Sequence, residues 1–132
     1  MLRILLAILS GLIAALAVFF LGYMIFNGMY PTPIGELSKA DMSIYLKQLP
    51  LQAYIIKVCM HCLSCLAGGL VAALVTPKSK YQSGIITLIL VLIVVVYRDT
   101  MHEYPSYYVV TDFLVCCILG FAGIMMGGNR KV

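Results

Sequence analysis

The sequence predicts an all-α integral membrane protein, an antiparallel bundle of four transmembrane helices with a short amphipathic helix at the interface in the first outer loop. Three observations carry this. Of 132 residues, 63% are hydrophobic and only 11% charged, with a mean hydropathy of +1.04, far above the range of water-soluble domains. Four apolar runs, at residues 4–26, 51–75, 83–98 and 107–126, can cross about 30 Å of hydrocarbon as helices; the third is able to run on to 103. Helices also satisfy every backbone polar group within their own segment, which hydrocarbon demands. The chain reads as a single membrane domain over residues 1–132.

The first run follows Arg3, and Ala15-Leu16-Ala17 resembles a signal-peptide cleavage site. Because apolar residues continue through VFFLGYMIF, it is expected to stay as a helix. Its small residues Ser10, Gly11, Ala14 and Ala15 form a face suited to close approach by another helix. The basic residues set an orientation. Arg3, Lys78, Lys80, Arg130 and Lys131 fall on one side, Lys39, Lys47 and Arg98 on the other, which predicts a multi-pass protein of the bacterial inner membrane with both termini in the cytoplasm. The net charge of +4 is thus a topology signal, and no basic patch alternates with aromatics as a nucleic-acid interface requires. The expected surroundings are the lipid bilayer and a homo-oligomer or larger membrane complex.

Between the first two runs, Pro31, Pro33 and Gly35 predict a turn. Ser38 followed by Asp41 then starts a capped helix over about 39–48, with Met42, Tyr45, Leu46 and Leu49 at helical spacing and Pro50 as the stop. That apolar face is expected to turn toward lipid or the mouth of the bundle. The second connection, TPKSKYQ, makes its flanking helices antiparallel neighbours, and Pro105 is expected to end the third helix among interfacial Tyr104, Tyr107 and Tyr108. The third run, GIITLILVLIVVVY, has no polar face and reads as lipid-exposed throughout.

The polar residues within the spans are the candidate site. At 100° per residue, Tyr54, Lys57, His61, Ser64, Cys65, Gly68 and Ala72 share one face of the second span. Tyr108, Asp112, Cys116, Leu119, Gly123 and Gly127 form a matching stripe on the fourth, so these two helices should touch. Lys57 and Asp112 each lie about 9 Å below the outer boundary by helical rise. A lone charge there costs roughly 2.5–3.5 kcal/mol on insertion scales, which predicts a Lys57–Asp112 pair within a Lys57, His61, Asp112 layer. Snorkelling of each charge to the headgroups is the rival. A second cluster, Arg98, Asp99, His102 and Glu103, places a cation-ligating or proton-relaying set, which His61 could join from the second span, or a solvated salt-bridged helix end, at the outer end of the third span.

The stretch VCMHCLSC concentrates three thiols and an imidazole. On one helix Cys59, Cys62 and Cys65 drift around the axis and His61 points away from Cys59, so no tetrahedral metal site closes without Cys116 or a second subunit; no metal and no cofactor are expected. Cys59 and Cys62 form a literal CxxC, and a four-helix membrane protein with that motif resembles the quinone-linked, disulfide-forming oxidoreductases. In those the reactive pair sits at a helix start near water, whereas here it lies two turns inside.

Tyr30-Pro31-Thr32-Pro33-Ile34-Gly35, Gln48-Leu49-Pro50 and Gly68-Gly69-Leu70-Val71-Ala72-Ala73 together are similar to a widespread group of small bacterial four-helix inner-membrane proteins with a Tyr-Pro-x-Pro outer loop. The similarity covers roughly the first 75 residues and implies the four-helix fold; the group has no known activity to imply. With no catalytic site evident, the expected function is that of an accessory or self-assembling membrane subunit. The alternatives are a homo-oligomeric ion or small-solute permease and a thiol oxidoreductase using Cys59 and Cys62. The small multidrug transporters share the size and helix count, yet carry a carboxylate in the first span where this chain has none.

Overall fold

A computed structural model describes residues 1–32, 38–76 and 78–129. The turn residues Pro33 and Gly35, and the basic residues Arg130 and Lys131 used for orientation, lie outside them. The elements are α1 (Leu2–Met29), α2 (Lys39–Lys47), α3 (Leu51–Val75), α4 (Lys80–Met101) and α5 (Ser106–Gly128). Four are long and apolar enough to cross a membrane.

Helix bounds follow the expected runs but overshoot them, α1 to Met29, α4 from Lys80 and α5 to Gly128. Hydropathy stops at the first polar residue, whereas the backbone ladder continues into the interface until a cap ends it. α2 starts as the spacing predicts: Ser38 Oγ accepts from the Asp41 N–H at 3.2 Å and donates to Asp41 Oδ2 at 2.5 Å. The end of α4 departs from expectation. Glu103, at φ 52°, stops the helix two residues before Pro105. Its N–H donates to Thr100 O at 3.3 Å and the Tyr104 N–H to Asp99 O at 3.4 Å, the paired bonds of a Schellman turn built without glycine.

α3 is the central helix and packs on α1, α4 and α5; α4 also meets α1 and α5, while α1 and α5 stay apart. The section is therefore a rhombus with α3 and α4 across its short diagonal. Small residues set the spacing. A Cβ on Gly11 of α1 would lie 2.7 Å from Gly68 O, one on Gly69 of α3 2.8 Å from Gly120 O, and one on Gly123 of α5 2.3 Å from Leu66 O. Backbones this close gain dispersion and exclude lipid, the force that associates helices in hydrocarbon. The expected contact between the second and fourth spans is present, with Gly123 and Gly127 against Leu66 and Leu70. The small face of α1, with Ala7, Gly11 and Ala15 buried, is taken up by α3 of the same chain, where Ser64 Oγ donates to Ala15 O at 2.7 Å.

α4 corrects the reading of its sequence as wholly lipid-exposed. Ser83, Gly84, Thr87, Leu88, Val91, Val95 and Asp99 are buried at helical spacing, while Ile85, Ile89, Ile93 and Tyr97 face outward. The buried stripe collects the small and polar residues Ser83, Gly84, Thr87 and Asp99, a helical spacing that the apolar stretch 88–96 between them hides. At the turn between α3 and α4, Ser83 Oγ lies 2.7 Å from Thr76 Oγ1 and donates to Ala72 O at 3.0 Å, which ties the two helices together.

Candidate functional site

The polar side chains gather at the end of the bundle that carries α2. Tyr54 near the start of α3 donates its hydroxyl to Leu46 O at 2.5 Å, and Tyr45 donates to Pro31 O at 3.3 Å, which fixes α2 across the mouth. Of the two settings expected for its apolar face, α2 takes the mouth: Met42, Tyr45 and Leu46 roof a cavity of about 100 Å³. Beneath them its walls carry Lys57 and His61 of α3, Arg98 and Asp99 of α4, and His102 and Tyr104 of the turn that follows. A water molecule occupies about 30 Å³ of liquid, so the space suits a few waters or a small hydrated ion.

At the floor, His61 Nδ1 and Asp112 Oδ2 lie 2.6 Å apart, with residue exposures of 3% and 0%. The Phe19 ring of α1 stacks on the imidazole at a centroid distance of 5.6 Å. The Asp99 carboxylate, 2% exposed, completes the group: ligand atoms of His61, Asp99 and Asp112 all lie within 4.8 Å of one another. Two carboxylates and an imidazole this close are a donor set able to hold a cation or to pass a proton. One turn above Asp112, the buried Tyr108 hydroxyl has no hydrogen-bond partner among the described residues.

The Lys57–Asp112 pair expected from the sequence does not form, and Asp112 takes His61 instead. Side chains on α3 tilt toward its N-terminus. The long Lys57 side chain is thereby carried above the carboxylate, and the imidazole from one turn below rises into its level. Lys57 Nζ donates to the Tyr104 hydroxyl and lies 4.7 Å from the Phe26 ring centroid, a cation held by aromatic faces. The Schellman turn at Glu103 is what folds Tyr104 back over the bundle to meet it. Burial pushes the Tyr104 phenol well above its usual range, so it remains a neutral partner for the ammonium.

The outer-end cluster is brought together only in part. Asp99 points into the bundle and joins His61 and Asp112. Arg98 lies over Phe19 at 4.8 Å and Tyr23 at 5.5 Å, and His102 Nδ1 donates to Arg98 O at 2.8 Å while its ring stacks near Tyr104. Glu103 is exposed in its left-handed turn, off the face it would share with Asp99 on a continuous helix. The sequence left open that His61 joins this cluster from the second span, and Asp99 is the member it meets, together with Asp112. The signal for this was Asp99 falling on the 84, 87, 88, 91, 95 spacing of buried positions.

The cysteines sort by depth and face. Cys59 is exposed and Cys62 buried, so the CxxC pair is not assembled. Cys62 meets Cys116 of α5, with Sγ atoms 3.6 Å apart, and Cys116 Sγ donates to Asp112 Oδ1 at 3.6 Å. Asp112 therefore joins two groups, its Oδ2 toward the imidazole and its Oδ1 toward the thiols.

No protein-family model matches the chain, and neither the curated proteins nor the solved structures contain a match to it.

Proposed function

We propose that this protein is a non-catalytic membrane subunit that takes a proton or small cation from the outer side into the layer formed by His61, Asp99 and Asp112. The observation that carries the reading is the convergence of those three side chains within 4.8 Å, with His61 and Asp99 lining a cavity roofed by α2 and Asp112 behind them. Lys57 and Arg98 on the cavity wall offset the carboxylates, so an arriving cation is exchanged against protons rather than added to a bare negative site. The α2 end is the outer face in this reading, with both termini cytoplasmic in a bacterial inner membrane and lipid around the exposed faces of α1 and α4.

Below the polar layer, the glycine contacts at Gly11, Gly69, Gly123 and Gly127 bring helix backbones into close approach. This favours binding over conduction by one chain, and passage would need a second copy or a partner. The test has two parts. In purified protein, infrared difference spectra on adding a cation or changing pH are expected to contain carboxyl signals that disappear in Asp99→Asn and Asp112→Asn; spectra unchanged by either variant would overturn the reading. Mass measurement of the assembly from mild detergent then reports whether the chain stands alone, with itself or with a partner.

A further inference from the structure

The thiols below the polar layer are the strongest feature that this function leaves unused. Cys62, Cys65 and Cys116 are all buried. Cys62 and Cys116, from two helices, have sulfurs within 4.8 Å of each other and of the Asp112 carboxylate, whose Oδ1 accepts from the Cys116 thiol. In a tetrahedral zinc site with thiolates at about 2.3 Å, the S···S edge is about 3.8 Å, and the edge to a carboxylate oxygen at about 2.0 Å is about 3.5 Å. The corresponding separations are 3.6 Å for Cys62 Sγ to Cys116 Sγ and 3.6 Å for Cys116 Sγ to Asp112 Oδ1. Two edges among Cys62, Cys116 and Asp112 already stand at that spacing, and the third is within 4.8 Å. Cys65, fully buried one turn along the same face of α3 and in the same packed cluster, is the nearest donor for the fourth.

We infer that Cys62, Cys116 and Asp112 form a site for a thiophilic divalent metal ion of the zinc class, with Cys65 closing the coordination and His61 orienting Asp112 from behind. This rests on the reading of the polar layer as a cation site and names the class of cation. The arrangement also matches the common pattern in which a histidine and a carboxylate of one site hold each other in place, with the roles of ligand and support exchanged here. Binding displaces the two thiol protons of Cys62 and Cys116, which pass to solvent.

The test uses the full chain in detergent under reducing conditions, with cobalt(II) as the probe. One equivalent is expected to bind, giving the strong visible bands of tetrahedral cobalt and a thiolate-to-cobalt charge-transfer band in the near ultraviolet, both removed by one equivalent of zinc. Proton release of about two per metal should accompany it. Cys62→Ser and Cys116→Ser should each abolish the charge-transfer band, Cys59→Ser and Cys117→Ser should not, and His61→Gln should weaken binding by roughly 10- to 100-fold. The wild-type spectrum decides the matter even if a variant fails to fold. Cobalt bound without a charge-transfer band and released by Asp99→Asn would overturn the thiol site and leave the polar-layer reading standing. No cobalt bound, with carboxyl infrared signals that still respond to pH, would restrict the layer to protons; no cobalt and no such signals would remove both.

Discussion

His61 on α3 and Asp112 on α5 meet at 2.6 Å, both buried within the bundle. Removing one partner leaves the other polar and buried, a loss of about 3 kcal/mol. Asp112→Leu or His61→Leu alone should therefore destabilise the protein by about that much in detergent unfolding, and the double replacement should recover a large part of it. Lys57→Met combined with Asp112→Asn should show additive losses, because those two side chains take different partners. Strong coupling between positions 57 and 112 in that cycle would contradict the pairing.

The glycine seam is expected to be intolerant at particular positions. Gly123→Ala places a methyl 2.3 Å from the Leu66 carbonyl oxygen, a backbone atom that cannot swing aside, so α3 and α5 must separate. The expected loss is about 1–3 kcal/mol. Gly28→Ala meets nothing within 4 Å and should leave the melting temperature unchanged or slightly raised. Equal melting temperatures for the two variants would refute this account of the helix contact.

Glu103 holds a left-handed conformation at φ 52° with its side chain exposed. An L-residue loses about 1–2 kcal/mol there and glycine almost none, against about 0.5–1 kcal/mol for glycine's extra freedom in the unfolded chain. Glu103→Gly should thus stabilise by about 0.5–1 kcal/mol, and a β-branched Glu103→Val should destabilise. Thermal unfolding monitored by circular dichroism gives both signs.

Tyr104 supplies a pH dependence. Its folded phenol is raised above the ordinary value of 10.0, chiefly by burial. The neutral form is thus the one the fold keeps, and its contribution is fully present below about pH 10 and lost progressively as the pH rises toward the folded value. Stability in alkaline solution should fall more steeply for the wild type than for Tyr104→Phe. Parallel curves above pH 10 would show that the ring is not buried against Lys57 as described.

Composition and run length alone determine four apolar helices, and local chemistry determines the α2 cap: Ser38 and Asp41 need only each other, three residues apart. The inward stripes of α3 and α5 were legible for a related reason, because small and polar residues recur at helical period on both. What the tertiary structure decided is which groups meet. Lys57 and Asp112 start at similar depths, yet side-chain tilt and the Schellman turn at Glu103 give Lys57 to Tyr104 and Asp112 to His61. On α4 the polar positions Ser83, Thr87 and Asp99 mark the buried face only at its two ends, and through 88–96, apolar on both sides, packing decides which residues face the core. Likewise the sequence neighbours Cys59 and Cys62 part, while Cys62 finds Cys116 across the seam. Spacing along one helix specifies direction around its own axis, but contact between helices depends on the rotation and approach that glycine backbones allow, and only packing sets those.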